Sequence, residues 1–491
     1  MEWRPYAGMQ TRFLQSTAFE TLAGGSRGPG KTDVGVINGA KPKYLNTKRA
    51  RGLVIRKNSD DLADWMDRAR YYYQRYGAII TGKPGLIKFP SGYIIRTGHL
   101  KDDNAYTKYQ GQEYQWILIE ELTQIAREVD YLKLIASCRS SIPGLDPRVY
   151  ATTNPGGVGH AWVKRRFIDP APPNTEFIGE DTGRTRIFLP GTVDDNPALM
   201  KNDPNYVKML DGLKRTDEEL WKAWRLGDWN TFAGQFYREF RRDIHVCRPI
   251  QPNTAYKRIG GMDWGRTDPF CFLAGIVQNV HYEGTDKTNV LDTKIRNYNF
   301  KRVWVFQEAY GTNKMPREWG EIMNAKCDVG TLTWIQCDNM IFNPQNDGSS
   351  SIADQFYDYD KRFRGKLQMQ ASVRLTEGKT QRINGWENIH NWLSIAPDGW
   401  PYLRITENCQ NLIRTLPELV HDEINVEDVD EQGEDHAPDA LRYMLKAVKW
   451  IDAKVEGVGT PGIADKKINP SAPMKIDADA WVVNSGDVAE V

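Results

Sequence analysis

The segment at residues 25–32, with the sequence GSRGPGKT, constrains the fold more than any other part of the chain. It matches the phosphate-binding pattern G-x-x-x-x-G-K-[ST] in full, and a short apolar run at residues 19–23 precedes it. In this pattern backbone N–H groups point at phosphate oxygens, while Lys31 supplies a positive charge and Thr32 a hydroxyl for Mg²⁺. A strand, a glycine-rich turn and a helix are therefore predicted, with a nucleoside triphosphate as the ligand. The alternative is a surface turn rich in glycine and proline.

The bulk properties of the chain indicate a soluble protein of two or three domains. The sequence has 491 residues and a net charge of +1, so a nucleic-acid partner would be held by local basic patches. It has no apolar run approaching the ~18 residues of a membrane span, and its first residues lack a signal-peptide pattern. The six cysteines are scattered without a CxxC pair. This spacing favours reduced thiols in a cytosolic compartment over a zinc site or a disulfide framework.

Apolar strands alternate with helical stretches in the first half of the chain, which predicts an α/β domain with a parallel-rich sheet. The predicted strands include LVIRK, YIIRTG, WILIEE and VYATTN. A second apolar series begins at RIGGMDWG and indicates a mixed sheet with helices. We therefore predict a first domain over residues 1–235 with a helical subdomain at its end, a linker over 236–255, and a second domain over 256–450. Residues 451–491 are predicted to be a weakly ordered tail because they are rich in Gly, Pro, Ala and Asp.

Two adjacent carboxylates follow the buried run WILI, at the strand edge where such folds bind ligands. Glu120 is predicted to hold Mg²⁺ directly or through water, and Glu121 to orient and deprotonate the attacking water. An aspartate is usual at the first position, so Glu120 is a departure with a longer arm. The alternative is a charged strand end that faces solvent.

Other residues near the loop are candidates for supporting roles. Arg27, inside the loop, could brace the γ-phosphate as an arginine finger in cis, and Arg139 could serve a neighbouring subunit in the same way. Thr153 and Asn154 end the next strand and could sense the γ-phosphate. Gln10 could read adenine through its amide, or could be an ordinary helix-surface residue.

Four aspartates in the second half lie at predicted strand and helix ends. Asp263 follows RIGGM, Asp338 follows TWIQC, and Asp435 and Asp439 lie in EDHAPDALRYM. Burying an aspartate in a strand costs several kcal/mol unless it is paired or binds a metal. Carboxylates of this kind could hold two metal ions that cleave a phosphodiester. The alternative is a set of unrelated aspartates that cap helices and strands.

Basic residues in the same half could contact a DNA backbone, and Lys379 and Arg382 are among the candidates. A solvated charged face is the alternative.

The ordered set of motifs resembles the large terminase subunit of tailed bacteriophages. The motifs are GGSRGPGKT, YQGQEYQWILIEELTQI, ATTNPGGVGHAWVKRRFI, TVDDNPAL, LWKAWRLGDW, GMDWGRTDPF, IQCDN and DHAPDALRY. The resemblance implies an N-terminal P-loop ATPase motor of the additional-strand, RecA-like type and a C-terminal nuclease of the ribonuclease H type. It also implies that the protein pumps viral DNA into a procapsid and cuts it at initiation and termination.

The resemblance assigns roles to individual residues. Lys31 and Thr32 match the Walker A pair, Glu120 and Glu121 the Walker B pair, and Thr153 and Asn154 the coupling motif. Asp263, Asp338 and Asp439 match the nuclease acids, with Asp435 as a possible fourth ligand. The whole loop would bind ATP, namely Gly25, Ser26, Arg27, Gly28, Pro29, Gly30, Lys31 and Thr32.

The resemblance further implies ATP with Mg²⁺, two Mg²⁺ or Mn²⁺ ions in the nuclease site, and several partners. These are double-stranded viral DNA, the portal protein of the procapsid, a small terminase subunit and further copies of the chain in a ring. The expected location is the host cell cytoplasm. Two alternatives stay open: a helicase-like translocase whose second domain binds DNA without cutting it, and an assembly protein with a vestigial loop.

Overall fold

The two apolar series of the sequence form two separate sheets, one in each of two units that divide between residues 235 and 236. The computed structural model describes residues 3–450 and 454–456, apart from 103, 231–233, 254, 290, 292, 346–347, 370–378 and 423–424. Within that part, no helix is long and apolar enough to cross a bilayer.

The first unit is built on a nine-stranded sheet within its described residues, in the order β3-β4-β5-β2-β6-β7-β1-β9-β8. The strands are β1 (Glu20–Gly25), β2 (Arg51–Arg56), β3 (Ile79–Thr81), β4 (Leu86–Lys88), β5 (Ile94–His99), β6 (Trp116–Ile119), β7 (Arg148–Thr152), β8 (Phe177–Ile178) and β9 (Thr185–Gly191). The helices are α1 (Met9–Gln15), α2 (Lys31–Asn38), α3 (Pro42–Leu45), α4 (Ala63–Tyr73), α5 (Glu128–Ile135), α6 (His160–Val163), α7 (Pro197–Asn202), α8 (Pro204–Gly212) and α9 (Glu218–Trp221).

The six central strands of this sheet, from β5 to β9, run parallel to one another. Strand β6 reads as a continuous apolar run because both of its faces are covered: Trp116 and Leu118 pack into one core, and Ile117 and Ile119 into the other. Strand β7 lies between β1 and β6. This inserted strand confirms the predicted additional-strand, parallel-rich α/β fold.

The second unit is built on a mixed sheet whose strand order is β10-β16-β13-β12-β11-β14-β15, with β17 paired to β13. Its strands are β10 (Val246–Cys247), β11 (Lys257–Asp263), β12 (Phe270–Gly284), β13 (Arg296–Gly311), β14 (Ile335–Cys337), β15 (Leu367–Met369), β16 (Leu403–Thr406) and β17 (Lys454–Glu456). Its helices are α10 (Arg242–His245), α11 (Pro316–Lys326), α12 (Ile352–Tyr359), α13 (Lys379–Leu393), α14 (Gln410–Thr415) and α15 (His436–Lys446).

Strands β11, β12 and β13 are antiparallel neighbours, whereas β14 and β15 continue the sheet on the other side of β11 in parallel. The resulting order, third-second-first-fourth-fifth, is the arrangement expected for a ribonuclease H-like domain. The prediction of a mixed sheet with that architecture is confirmed.

Two boundaries differ from the sequence prediction. Phe236, Tyr237 and Phe240 lie in the stretch expected to be a linker, but they are buried in the core of the second unit. Composition suggested a linker because these aromatics are interleaved with charges, and only tertiary packing gives them a core to enter. In the predicted tail, residues 454–456 form β17, whereas 451–453 and 457–491 lie outside the described residues.

Candidate active sites

The glycine-rich loop joins β1 to α2, as predicted, and Gly25, Gly28 and Gly30 have φ values of 135°, 92° and 84°. These left-handed values favour glycine and bring the backbone N–H groups around a concave turn. Lys31 begins α2, and its Nζ donates to Ser26 O at 2.7 Å and to Asn154 Oδ1 at 2.8 Å. Burial lowers the pKa of Lys31 to about 8, although Glu121 and Glu120 oppose the shift. The ammonium is therefore held inside the loop, where the phosphates of a nucleotide would lie.

Glu120 is positioned by β6, which ends one residue before it, and its side chain is buried. Thr32 Oγ1 donates to Glu120 Oε2 at 3.4 Å, while Glu120 Oε1 has no hydrogen-bond partner among the described residues. Burial, followed by the charge of Glu121, raises the pKa of Glu120 to about 7. A hard divalent cation is the group that would satisfy this unpartnered oxygen and lower the pKa again. The Thr32-Glu120 pair therefore fits Mg²⁺.

Glu121 stands beyond the strand end in a left-handed backbone conformation, with φ 53°. Asn154 Nδ2 donates to both of its carboxylate oxygens at 3.1 Å. Since non-glycine residues adopt this conformation infrequently and often at functional sites, the backbone indicates that its direction matters. The carboxylate is thus aimed by its own backbone and by one amide.

Asn154 and Thr153 follow β7 but do different things. Asn154 contacts both Lys31 and Glu121, so it connects the loop to the carboxylate. The Thr153 hydroxyl instead lies 2.7 Å from the Thr123 hydroxyl, and Thr153 N donates to Ala23 O. Asn154 therefore lies in the site, whereas the contacts of Thr153 are to Thr123 and to the backbone of β1.

Gln10 is engaged by the protein rather than presented to a ligand. Its Nε2 donates to Pro29 O at 2.8 Å, and its Oε1 accepts from Tyr6 N at 3.0 Å. The amide nitrogen and the amide oxygen thus both have protein partners, and the side chain stabilises the loop through Pro29. This differs from the predicted adenine contact because the loop backbone, close in space, competes for the same amide.

The two candidate arginine fingers are both exposed and lie in different places. The Arg27 guanidinium carbon lies 3.4 Å from the centroid of the Trp224 ring, and Arg27 N donates to Trp224 O at 2.9 Å. Arg139 N donates to Tyr114 O, at the amino end of β6, so Arg139 is at the sheet edge opposite Glu120. Arg139 is therefore remote from the loop of its own chain.

Sequence reasoning gave no role to two residues that hold the loop. Trp224 stacks on Arg27, and Asn196 Nδ2 donates to Gly28 O at 2.7 Å. Trp224 lies in LWKAWRLGDW and Asn196 in TVDDNPAL. Nothing in the sequence of either motif indicates that these residues contact the glycine-rich loop.

In the second unit, the first carboxylate of interest ends β11. Asp263 and Gly261 lie on the same face of the strand. A Cβ atom on Gly261 would lie only 2.0 Å from Ala440 O. Only glycine permits this approach, so α15 packs closely against β11 and faces Asp263. Burial raises the pKa of Asp263 to about 6. The charges of Asp439 and Asp338 act in the same direction, whereas the hydrogen bond with His436 opposes the shift.

Asp338 ends the parallel neighbour of β11. The register pairs Met262 with Cys337, so Asp263 and Asp338 are the next residues on adjacent strands. Asp338 Oδ1 accepts from Met340 N at 2.7 Å, and Tyr443 Oη donates to Oδ2 at 3.5 Å. The two aspartates lie at the same end of the sheet.

Helix α15 starts at His436 and, together with the residue before it, supplies the other two aspartates. Asp435 is the N-cap, and Asp439 N donates to Asp435 O at 2.7 Å. Burial and the charge of Asp439 raise the pKa of Asp435 to about 8. Asp439 Oδ1 accepts from Arg442 Nε at 2.7 Å.

His436 is the residue of this site that sequence reasoning left without a role. Its Nδ1 lies 2.8 Å from Asp263 Oδ2. Burial lowers the pKa of His436, but Asp263 and the neighbouring aspartates outweigh it and raise the pKa to about 9. At neutral pH a charged imidazolium therefore compensates the carboxylates.

The four carboxylates have the oxygen donors that Mg²⁺ and Mn²⁺ prefer, and their mutual repulsion favours a cation. Among the described residues, no group of three His, Cys, Asp or Glu side chains converges closely enough to hold a metal ion. One oxygen of each of two aspartates is engaged by a cation of the protein, Asp263 Oδ2 by His436 and Asp439 Oδ1 by Arg442. The residue types thus fit the metals, and the side chains are arranged in pairs with internal cations.

Arg382 faces acidic residues rather than solvent. Its guanidinium contacts Asp428 at 3.1 Å, Glu431 at 3.0 Å and Asp435 at 3.5 Å. Arg382 is therefore engaged by three carboxylates of the protein that are distant in sequence, instead of being presented for the predicted contact with a DNA backbone. Lys379 begins α13, and its side chain lies outside the described residues.

Residues 19–228 match the sequence model of the family described as phage terminase large subunit. The match confirms the resemblance for the motifs that lie within this range. No curated protein sequence matches the chain significantly.

Solved structures similar to the chain include large terminases of several phages. The large terminase of a thermophilic bacteriophage is 17% identical, with 91% of this chain and 99% of that chain covered and a TM-score of 0.38. The large terminase of bacteriophage HK97 is 13% identical, with 91% and 95% covered and a TM-score of 0.46. The nuclease domain of the P22 large terminase is 11% identical, with 44% and 93% covered and a TM-score of 0.29. Similarity at this level does not extend to individual side chains.

Proposed function

We propose that this chain, whose residues 19–228 match the phage terminase large subunit family, is the motor and nuclease of a viral DNA-packaging machine. ATP hydrolysis in the first unit would drive double-stranded DNA into a procapsid, and the second unit would cut the concatemer at initiation and termination. The observation that carries the proposal is the Asn154 bridge between Lys31 and Glu121. It joins a phosphate-binding lysine to a carboxylate aimed by its backbone.

The residues of the first unit have distinct tasks in hydrolysis. The loop backbone and Lys31 bind the β- and γ-phosphates, and Glu121 orients the attacking water and takes its proton. Thr32 and Glu120 would hold Mg²⁺, which neutralises charge on the phosphate oxygens when bound. When the γ-phosphate leaves, Lys31 loses a partner, and Asn154 passes that change to Glu121.

The second unit would cleave phosphodiesters with Asp263, Asp338, Asp439 and, as a further ligand, Asp435. Two divalent ions held there would activate water and stabilise the leaving oxygen. DNA contacts would go mainly to phosphates, so binding should weaken steeply with salt. We further propose a ring of copies at the portal, a small terminase partner and action in the host cytoplasm.

Two matched variants test the proposal. Glu121→Gln should lower ATP turnover by about 10²–10⁴-fold, the usual contribution of a general base. The same variant should leave Mn²⁺-dependent plasmid cleavage intact. Asp263→Asn should do the reverse. Turnover without any cleavage by the unaltered chain would favour the helicase-like translocase, and loss of both activities in both folded variants would refute the two-site proposal.

A further inference from the structure

A cavity of about 590 Å³ opens in the first unit at the sheet edge opposite the glycine-rich loop. Its walls include residues 14–17, which precede β1, and Arg148, the first residue of β7. Strand β1 runs from the cavity side to the loop over six residues, or about 20 Å. The cavity and the loop are therefore separate sites on one sheet.

Three cations line this cavity: Lys41, Lys43 and Arg148. Lys41 Nζ donates to Tyr150 Oη at 3.3 Å, and among the described residues no carboxylate is within ion-pair distance of Lys41 or Lys43. Arg148 pairs with Asp146 at 3.3 Å, but the Asp146 side chain is 78% exposed, so water screens that pair. The cavity carries an excess of positive charge.

The positive charge is costly without an anion. Burial, and then repulsion by Lys43 and Arg148, lowers the pKa of Lys41 to about 7. Burial and Arg148 also lower the pKa of Lys43, and the exposed Asp146 opposes that shift without reversing it. Negative charge in the cavity would offset the repulsion and return the proton to Lys41. An anion from outside the chain would therefore complement these cations.

We propose that this cavity binds a phosphate-bearing anion through Lys41, Lys43 and Arg148. Phosphate oxygens can accept from several donors at once, and Lys41 and Lys43 at the start of α3 line the cavity together with Arg148 at the start of β7. Leu14 and Ile37 line the same cavity, so an apolar part of the ligand has a wall to lie against. A free phosphorylated molecule and a phosphate of the DNA backbone are the two sources of this chemistry.

Inorganic pyrophosphate is the probe, titrated by calorimetry into the full chain carrying Lys31→Ala, which weakens binding at the glycine-rich loop. One saturable site is expected, and Lys41→Gln or Arg148→Gln should each raise the dissociation constant by about tenfold or more, as for loss of a charge-assisted hydrogen bond. Lys208→Gln, an exposed lysine on α8, is the matched control and should leave it unchanged. Thermal melts check that each variant folds.

Competition with a short DNA duplex separates the sources. Displacement of pyrophosphate that depends on Lys41 identifies DNA phosphate as the ligand, and no displacement identifies a free anion. The absence of saturable pyrophosphate binding, or binding that neither variant weakens, would overturn the proposal.

Discussion

The side-chain amide of Asn154 donates to both carboxylate oxygens of Glu121 at 3.1 Å, while its carbonyl oxygen accepts from Lys31. One residue thus contacts the phosphate-binding cation and the proposed base at once. Both contacts depend on one side chain, so the Asn154 amide links the position of Lys31 to that of Glu121.

Asn154→Ala should lower ATP turnover by about 10²-fold, since misplacing a catalytic group by about 1 Å costs that much. DNA cleavage by the second unit should be unaffected. Thr153→Ser, which keeps the neighbouring hydroxyl, is the control for a steady-state ATPase assay. Parent-like turnover in Asn154→Ala would show that the bridge is not used.

Gln10→Ala should weaken ATP and GTP binding to a similar degree, because the amide supports Pro29 O in the loop and not a base. Binding of the two nucleotides can be compared by fluorescence titration. A selective loss of ATP affinity would instead restore the adenine contact predicted from the sequence.

Arg27→Ala should lower ATP turnover by about 10³-fold or more, if its guanidinium acts as an arginine finger after leaving Trp224. Trp224→Phe keeps an aromatic face for the resting position and should retain turnover, since an exposed cation–π contact contributes only about 0.5–1 kcal/mol. Equal losses in both variants would indicate that the stack itself, not a moving guanidinium, supports activity.

Arg382→Gln should reduce DNA cleavage while leaving the salt dependence of DNA binding unchanged, because Arg382 is paired with Asp428, Glu431 and Asp435. A phosphate contact would lower the salt slope by about 1 on its removal. Measuring affinity against salt concentration for the parent and the variant distinguishes the two roles.

Lys41→Met should raise the melting temperature of the anion-free chain, because burial beside Lys43 and Arg148 disfavours the charged amine. The pKa of Lys41 in the folded state, about 7, is below its unfolded value of 10.5, so the unfolded chain binds more protons between them. Stability of the parent should rise through that window, and the advantage of Lys41→Met should be largest at and below pH 7. Melts from pH 6 to 10 test this, and an advantage independent of pH would contradict it.

Much of both sites could be predicted because the residues concerned are adjacent in the chain. Two local patterns indicate their chemistry from the sequence alone: the loop at residues 25–32 and the Glu120-Glu121 pair that directly follows β6. Asp263 and Asp338 were predictable for the same reason, since each follows a short apolar strand.

Contacts made across long chain separations were not predictable. The Arg27-Trp224 stack, the Gly28-Asn196 hydrogen bond and the Asp263-His436 pair each join residues more than 100 positions apart. Basic and aromatic residues at 236–240 looked like a linker because composition does not reveal which aromatics will find a core.

Periodicity and short motifs are properties of neighbouring residues, so they were enough to specify the two strand series, the phosphate-binding loop and the aspartates at strand ends. What each polar side chain faces depended instead on the folded arrangement. Folding brings Gln10 to the loop, Arg382 to carboxylates and Asn154 to both Lys31 and Glu121. The physical reason is that a buried polar group takes the nearest partner in space, and strand order and helix packing, not chain order, determine which partner is near.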